Sequence, residues 1–490
     1  MMVTVDCMRA DHVGFMGYHR PTTPFFDSLS ADSFIFPAAI VAGTPTYFSL
    51  PAIMASRHPL ALGRDVVGIA PEELTLAGVM KKAGYATAAF AAANPYIASC
   101  FGYDQGFDVF HDFLDSGPSA RPAEENRSAP ANGWLGKVNQ RIQRARSRIG
   151  PLGLIYDELY FQYCQRSTPV ADSLDELRRF PSAEIVVEQA RKWLDSIGSS
   201  PVFLWLHLMD PHSPYYPKKQ ALALLEKDRF TPFEARYVNS HWNRSDLGPR
   251  RLARHREEII ALYDAGIRWV DFQIGCLVDY LKASNRWEDC ILVVSADHGE
   301  EFSDHGGRFH PPSRVTEELI HVPLLLRVPG QEKVVLGNTP FSMLDLAPTL
   351  LEIAGVESAP EFQGQSRWAQ VRAGKPYESV AITECVADCT NPFRTASRLG
   401  PRVLSVRESR FKLVLRFSPP EEQLYDLEAD PGEQAPLAPS AQKVVRKRLL
   451  EAARLHLQTS IQKRDGRERV RALLRDLQLE SARFFPQKAS

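Results

Sequence analysis

No other stretch constrains this chain as much as Ile291-Leu-Val-Val-Ser-Ala-Asp297-His298-Gly299-Glu300. An apolar run closes on a small pair, then an acid, a base and a glycine. Unbroken apolar character over so short a run predicts a strand covered on both faces, as in a parallel sheet. The acid and the base then fall in the loop at the strand's carboxyl end, where open α/β sheets carry their chemistry. Asp297 and His298 there offer a metal ion one oxygen and one nitrogen. An N-cap aspartate beside a surface histidine would look the same over ten residues, so the rest of the chain has to decide between them.

From residue 1 to about 110, strand and helix signals alternate. A short strand ends at Asp6, and Phe34–Ile40 and Tyr85–Ala91 read as further strands. Helices are expected over Phe25–Ala31, Ser49–Ser56 and Leu74–Ala83. The rhythm breaks in an insertion at about 113–180, whose run Arg141, Arg144, Arg146, Arg148 reads as a solvated face. It resumes with the apolar strand Pro201–His207, followed by Asp210 and His212, and with an amphipathic helix over 257–282 that leads into the decisive strand. Pro323–Pro329 is a further strand and Ser342–Gly355 a helix. The expected class is α/β: a large mixed, mostly parallel sheet flanked by helices over residues 1–374. From about 375 to 490 the pattern predicts a smaller α+β subdomain. There 402–407 and 411–416 alternate polar and apolar residues around the turn Glu408-Ser-Arg410, and a helical tail starts near Gln442.

A net charge of −1 gives no global field toward nucleic acid, so no nucleic-acid partner is expected. No apolar run reaches the length of a transmembrane helix. The 7 cysteines, without a Cys-x-x-Cys pair, predict free and mostly buried thiols in a reducing compartment. As it stands the sequence implies a cytoplasmic protein. The strand at Met2–Asp6 has almost nothing before it, which leads us to expect an upstream start and a lost signal.

Three strand-to-loop junctions thus supply candidate ligands: Asp6; His207, Asp210 and His212; and Asp297 with His298. Gly43-Thr-Pro-Thr46-Tyr-Phe-Ser49 supplies a hydroxyl. Thr46 falls just before a helix, whose N-terminus attracts an anionic group. A hydroxyl bonded to a divalent metal at that point is aimed at phosphorus or sulfur. Thr44, Thr46 or Ser49 acting only as a helix cap is the plainer alternative.

In order and spacing these stretches resemble the sulfatases of the alkaline phosphatase superfamily. The similarity runs through Val3-Thr-Val-Asp6-Cys-Met-Arg-Ala-Asp-His, Arg20-Pro-Thr-Thr-Pro-Phe-Phe-Asp-Ser-Leu and Phe101-Gly-Tyr-Asp-Gln-Gly-Phe-Asp108. It continues in His207-Leu-Met-Asp-Pro-His212, Ser295-Ala-Asp-His-Gly-Glu300, Leu344-Asp-Leu-Ala-Pro-Thr and Leu424-Tyr-Asp-Leu-Glu-Ala-Asp-Pro-Gly-Glu433. The resemblance implies that Asp6, Asp297, His298 and Thr46 hold a divalent ion (calcium, zinc or manganese). Counting back from Ser56-Arg57-His58-Pro59, it puts Thr46 at the nucleophile position. It sets His212 and His310 beside the substrate's tetrahedral group, with His207 and His305 as neighbours.

Two departures stand out. Cys7 replaces the second acidic residue, which implies a thinner metal site or an ion softer than calcium. The Cys/Ser-x-Pro-x-Arg nucleophile motif is absent, with Leu50 where its arginine would be. A formylglycine hydrate expels sulfate through a gem-diol, and threonine has no second hydroxyl for that step. A threonine ester can instead be attacked in line by water or an alcohol. The expected function is therefore a metal-dependent hydrolase of sulfate or phosphate esters, a phosphodiesterase included, with Thr46 as nucleophile. The alternatives are a phosphotransferase moving a phosphoethanolamine-type head group onto a glycan or lipid, and a binding homologue without turnover. The partner expected in each case is an anionic ester.

Overall fold

Four parallel strands explain where the site lies. Met2–Val5 runs between Val202–Leu208 and Leu292–Ala296, with Val5 level with Leu208 on one side and Ala296 on the other. Ala86–Ala91 lies outside Val202–Leu208, with Ala91 level with His207. Every residue of Met2–Val5 and Leu292–Ala296 is buried, as the unbroken apolar runs predict. Because the strands end level, whatever follows Val5, Leu208, Ala296 and Ala91 is delivered to one edge of the sheet.

The computed structural model describes residues 1–64, 66–114, 151–226, 230–375 and 377–459. The arginine run at 141–148 and the chain beyond 459 lie outside the described residues. The main sheet has eight strands, in the order Val334–Val335, Phe34–Ile35, Leu324–Arg327, Leu292–Ala296, Met2–Val5, Val202–Leu208, Ala86–Ala91, Val109–His111. It is mixed, because Leu324–Arg327 runs antiparallel to both of its neighbours. The strand expected over Phe34–Ile40 divides in two around Pro37. Phe34–Ile35 stays in the main sheet, while Ala39–Ile40 joins a second sheet with His321–Val322 and Phe341–Ser342. Proline has no N–H to give to a ladder, so the break falls there. Among the described residues no helix is long and apolar enough to cross a membrane.

The helix Arg256–Ala283 pins the loop that follows the first strand. Tyr263 Oη donates to Cys7 O at 2.7 Å and accepts from Arg9 N at 2.8 Å. Asp264 accepts from Tyr18 at 2.7 Å and Arg20 at 3.0 Å, and lies 2.7 Å from His12 Nδ1. Asp271 accepts from the N–H groups of Phe25 and Phe26 at 3.0 and 2.8 Å, at the start of the helix Pro24–Leu29.

The C-terminal strands Ala381–Val386, Arg402–Glu408, Phe411–Phe417 and Pro420–Asp426 form the expected antiparallel sheet. One face adds Val403, Val414 and Tyr425 to the main core. The other face, with Leu404, Val406 and Leu413, packs under the helix Lys443–Thr459 through Leu449 and Ala453. Lys412 ties this sheet to the rest of the protein. Its fully buried Nζ lies 2.8 Å from Glu433 and 3.1 Å from Glu317, and Arg407 also pairs with Glu317. Lys412→Met leaves two carboxylates buried without their shared cation, and is expected to cost about 3–5 kcal/mol. The midpoint of denaturant unfolding measures this, and an unchanged midpoint would refute it.

Candidate active site

Each strand end contributes to one buried cluster. Asp6 and Asp297 follow adjacent parallel strands and both are fully buried. Asp297 Oδ1 accepts from His298 N at 3.0 Å and Cys7 N at 3.4 Å, while its Oδ2 has no hydrogen-bond partner. His298 Nδ1 lies 2.8 Å from the carbonyl of Gly299. Only an N–H satisfies a carbonyl, so the neutral ring turns its Nε2 lone pair into the cluster. That Nε2 is 3.5 Å from Asp297 Oδ2 and 3.1 Å from Thr46 Oγ1. Residue 299 must be glycine, since a Cβ there would fall 1.9 Å from the carbonyl of Glu318.

Thr46 is the first residue of the helix Thr46–Ala55, every residue of which is buried. Its Oγ1 lies 3.5 Å from Asp6 Oδ2, at the positive end of that helix. Asp6 is held from three further sides. Asn94 Nδ2 donates to Oδ2 at 2.7 Å, His207 Nε2 lies 3.3 Å from the same atom, and Cys7 Sγ approaches Oδ1 at 2.9 Å.

His207 is part of a relay that ends on Asp6. Trp205 Nε1 donates to Thr4 Oγ1 at 3.0 Å, Thr4 Oγ1 lies 2.8 Å from His207 Nδ1, and His207 Nε2 faces Asp6. Both ring nitrogens are engaged and the residue is fully buried, so no nitrogen is left for a ligand. The structure thus puts His207, expected as a neighbour of the substrate, against Thr4 and Asp6. Asp210 also turns away, bonding Arg178 and the N–H of Ala183 at 2.7 and 2.9 Å.

His310 returns to the site through the hairpin that pairs Glu301–Phe302 with Arg308–Phe309. Its Nδ1 is 3.2 Å from Glu300 Oε1 and 3.4 Å from Cys7 Sγ, and its ring centre lies 4.6 Å from that of His298. The His212 ring centre is 5.2 Å from that of His310, and His212 Nδ1 lies 2.5 Å from the carbonyl of Ser213. His305 points elsewhere, with Nδ1 at 2.9 Å from Glu318. The hydrogen bond to Glu318 outweighs burial and holds His305 up at about 8. A raised value means its stabilisation is complete below the unfolded value of about 6.5 and is lost as pH rises through about 8. The difference in melting temperature between wild type and His305→Gln should therefore shrink over that window, and a constant difference would count against the pairing.

Asn94 and Glu300 were not foreseen as site groups. Asn94 follows the strand that ends beside His207, so treating its loop like the other strand ends would have found it.

Burial alone would raise the Asp6 carboxyl. The imidazoles of His212, His207 and His298 outweigh burial and hold it well below the usual range. Asp297 goes the other way, raised by burial and then by the charge of Asp6. Cys7 is likewise pushed well up, by burial and by Asp6, Glu300 and Asp297. Two adjoining buried carboxylates, one with an orphaned oxygen, together with an inward imidazole lone pair and a hydroxyl, make a donor set that fits a divalent cation.

The Sulfatase family model matches residues 1–356. The chain belongs to the sulfatase family. A second model, N-sulphoglucosamine sulphohydrolase, C-terminal, matches residues 308–458. Among sulfatase relatives, the choline-sulfatase of Rhizobium meliloti is 28% identical over 277 residues, which are 53% of this chain and 51% of that protein. The ulvan-active sulfatase of Formosa agariphila is 22% identical over 74% of this chain and 63% of its own length. The chain thus spans about half to two thirds of these two relatives. PehA of Trinickia caryophylli, a multifunctional alkaline phosphatase superfamily protein, is 21% identical over 89% of this chain and 90% of its own. The phosphonate monoester hydrolase of Silicibacter pomeroyi has the same fold, with a TM-score of 0.63 at 19% identity over 94% of each chain. That of Agrobacterium radiobacter gives 0.60 at 17% identity, covering 96% of this chain and 95% of its own.

Proposed function

We propose that this sulfatase-family protein hydrolyses anionic esters, with Thr46 Oγ1 as nucleophile and Asp6, Asp297 and His298 holding a divalent cation. The observation that carries the reading is the position of Thr46 Oγ1. It heads a buried helix, 3.1 Å from His298 Nε2 and 3.5 Å from Asp6 Oδ2, beside the partnerless Asp297 Oδ2. A divalent cation held there supplies charge for the ester's oxygens and lowers the pKa of an oxygen bound to it.

The residues around it divide the remaining work. As Thr46 Oγ1 bonds to the phosphorus or sulfur centre, its proton passes toward Asp6 Oδ2 and the ester's alcohol oxygen departs. His310 has Nδ1 at Glu300 and His212 has Nδ1 at the Ser213 carbonyl, which leaves Nε2 of each ring unspent; one of the two, in its doubly protonated form, gives the leaving oxygen its proton. Water then attacks the threonine ester in line; its proton goes to the ring that gave one to the leaving oxygen, and Thr46 Oγ1 departs with the proton held on Asp6 Oδ2. Since threonine cannot expel the group as a gem-diol does, this second step favours phosphorus over sulfur. The names of the relatives include both chemistries: sulfatases, and phosphonate monoester hydrolases of the same fold.

The test is a panel of nitrophenyl sulfate, phosphate monoester, phosphate diester and phosphonate monoester, run on metal-loaded protein with and without an added alcohol. Faster turnover of the phosphorus esters with water as acceptor is expected. Turnover of the sulfate alone would overturn the preference. Product appearing mainly on the added alcohol would make the protein a transferase, as the threonine also permits.

A further inference from the structure

A cysteine stands in the same side-chain cluster as Asp6, His212, His298 and His310, and the chemistry proposed above leaves it idle. Cys7 is fully buried, with Sγ 2.9 Å from Asp6 Oδ1 and 3.4 Å from His310 Nδ1. Sγ also lies within 4.8 Å of a ring nitrogen of His298, a span that the sulfur and nitrogen ligands of one tetrahedral zinc ion, about 3.5 Å apart, can close. Cys7 combines with His298 and His310, and with Asp6 and His212, into groups able to surround one ion. Its backbone is bent to bring this about. Cys7 has φ of 62°, a region that favours glycine, and Tyr263 holds it there by bonding its carbonyl at 2.7 Å. Its N–H is spent on Asp297 at 3.4 Å. Independently of the thiol, the fully buried Asp297 Oδ2 has no hydrogen-bond partner.

We infer that Cys7 Sγ is a ligand of the cation, and that the site selects a thiophilic divalent ion of the zinc class over calcium or magnesium. This rests on the metal reading of the site proposed above. Hard cations take oxygen ligands, whereas a thiolate among imidazoles and carboxylates suits zinc or cobalt. Binding frees one proton, as the sulfur gives its electron pair to the ion and the thiol hydrogen leaves to solvent.

Cobalt titration of chelator-treated full-length protein reads this without turnover. One cobalt per chain should give visible ligand-field bands together with a near-ultraviolet sulfur-to-cobalt charge-transfer band. Zinc should abolish both, and calcium in large excess neither. Cys7→Ser should keep the visible bands, lose the charge-transfer band, and bind zinc at least about tenfold more weakly. Cys7→Ala serves as second variant should the serine protein fail to fold. Visible bands without charge transfer in the wild type would overturn the role of Cys7 while leaving a metal site standing. A charge-transfer band that survives in both variants would assign the sulfur to another cysteine and also overturn it. No cobalt uptake at all would remove the metal reading itself.

Discussion

Thr46→Ala should lower turnover by roughly four to six orders of magnitude, the range seen when a covalent nucleophile is removed. The attacking oxygen disappears, and with it an oxygen donor beside Asp6 and His298. Little else should change, because the Thr46 methyl and backbone are not part of the Asp6 relay, so the melting temperature should stay close to wild type. Thr46→Ser keeps the oxygen and should retain a substantial part of the rate. Mass spectrometry of the trapped reaction should place the adduct on the peptide containing Thr46. Thr44 Oγ1 and Ser49 Oγ are also buried, and neither has a hydrogen-bond partner. An adduct on either, or an active alanine variant, would move the nucleophile and with it the preference for phosphorus.

Asp297→Asn should abolish metal uptake and reduce turnover at least about a thousandfold, several kcal/mol of lost charge stabilisation. The fold should survive. Asparagine keeps an oxygen for the N–H groups of Cys7 and His298, and it removes both the cost of burying a charge and the repulsion from Asp6, which together raise Asp297. In the presence of chelator the variant should therefore melt no lower than wild type. Adding metal should stabilise only the wild type, since an ion that binds the native state alone raises its stability by mass action. Full metal content in Asp297→Asn would falsify the ligand assignment.

The large elements were legible because their signals are local. Uninterrupted apolar runs placed the central strands, and the stripe over 257–282 gave a helix observed at Arg256–Ala283. Alternation over 402–416 gave the C-terminal hairpin, paired from Val403 with Arg416 to Glu408 with Phe411. Asp6, Asp297 and His298 were legible for the same reason, since each directly follows such a run. The choice of Thr46 rests on family register alone, because no local pattern separates it from Thr44 or Ser49. Other roles depended on directions that no periodicity carries. His207 sits in a strand, so pleat and neighbours decide what it meets, and it meets Thr4 and Asp6. His305 and His310 share one short hairpin, yet its turn sends them to different partners, Glu318 and Glu300. Asn94 lacked any signal of its own until the strand order placed it beside Asp6.

The central place of Met2–Val5 has a consequence for how the molecule is made. Its two neighbours are Val202–Leu208 and Leu292–Ala296, so the first of the four parallel strands to leave the ribosome is paired on its second side only after Ala296 emerges. At ordinary synthesis rates that wait is about 15–60 s. Through it a buried-type strand stays exposed, and such edges aggregate. Pairings this distant also fold slowly. Asp6 therefore meets Asp297 only once Leu292–Ala296 has joined the sheet, so the site cannot form on the growing chain before that strand has been made.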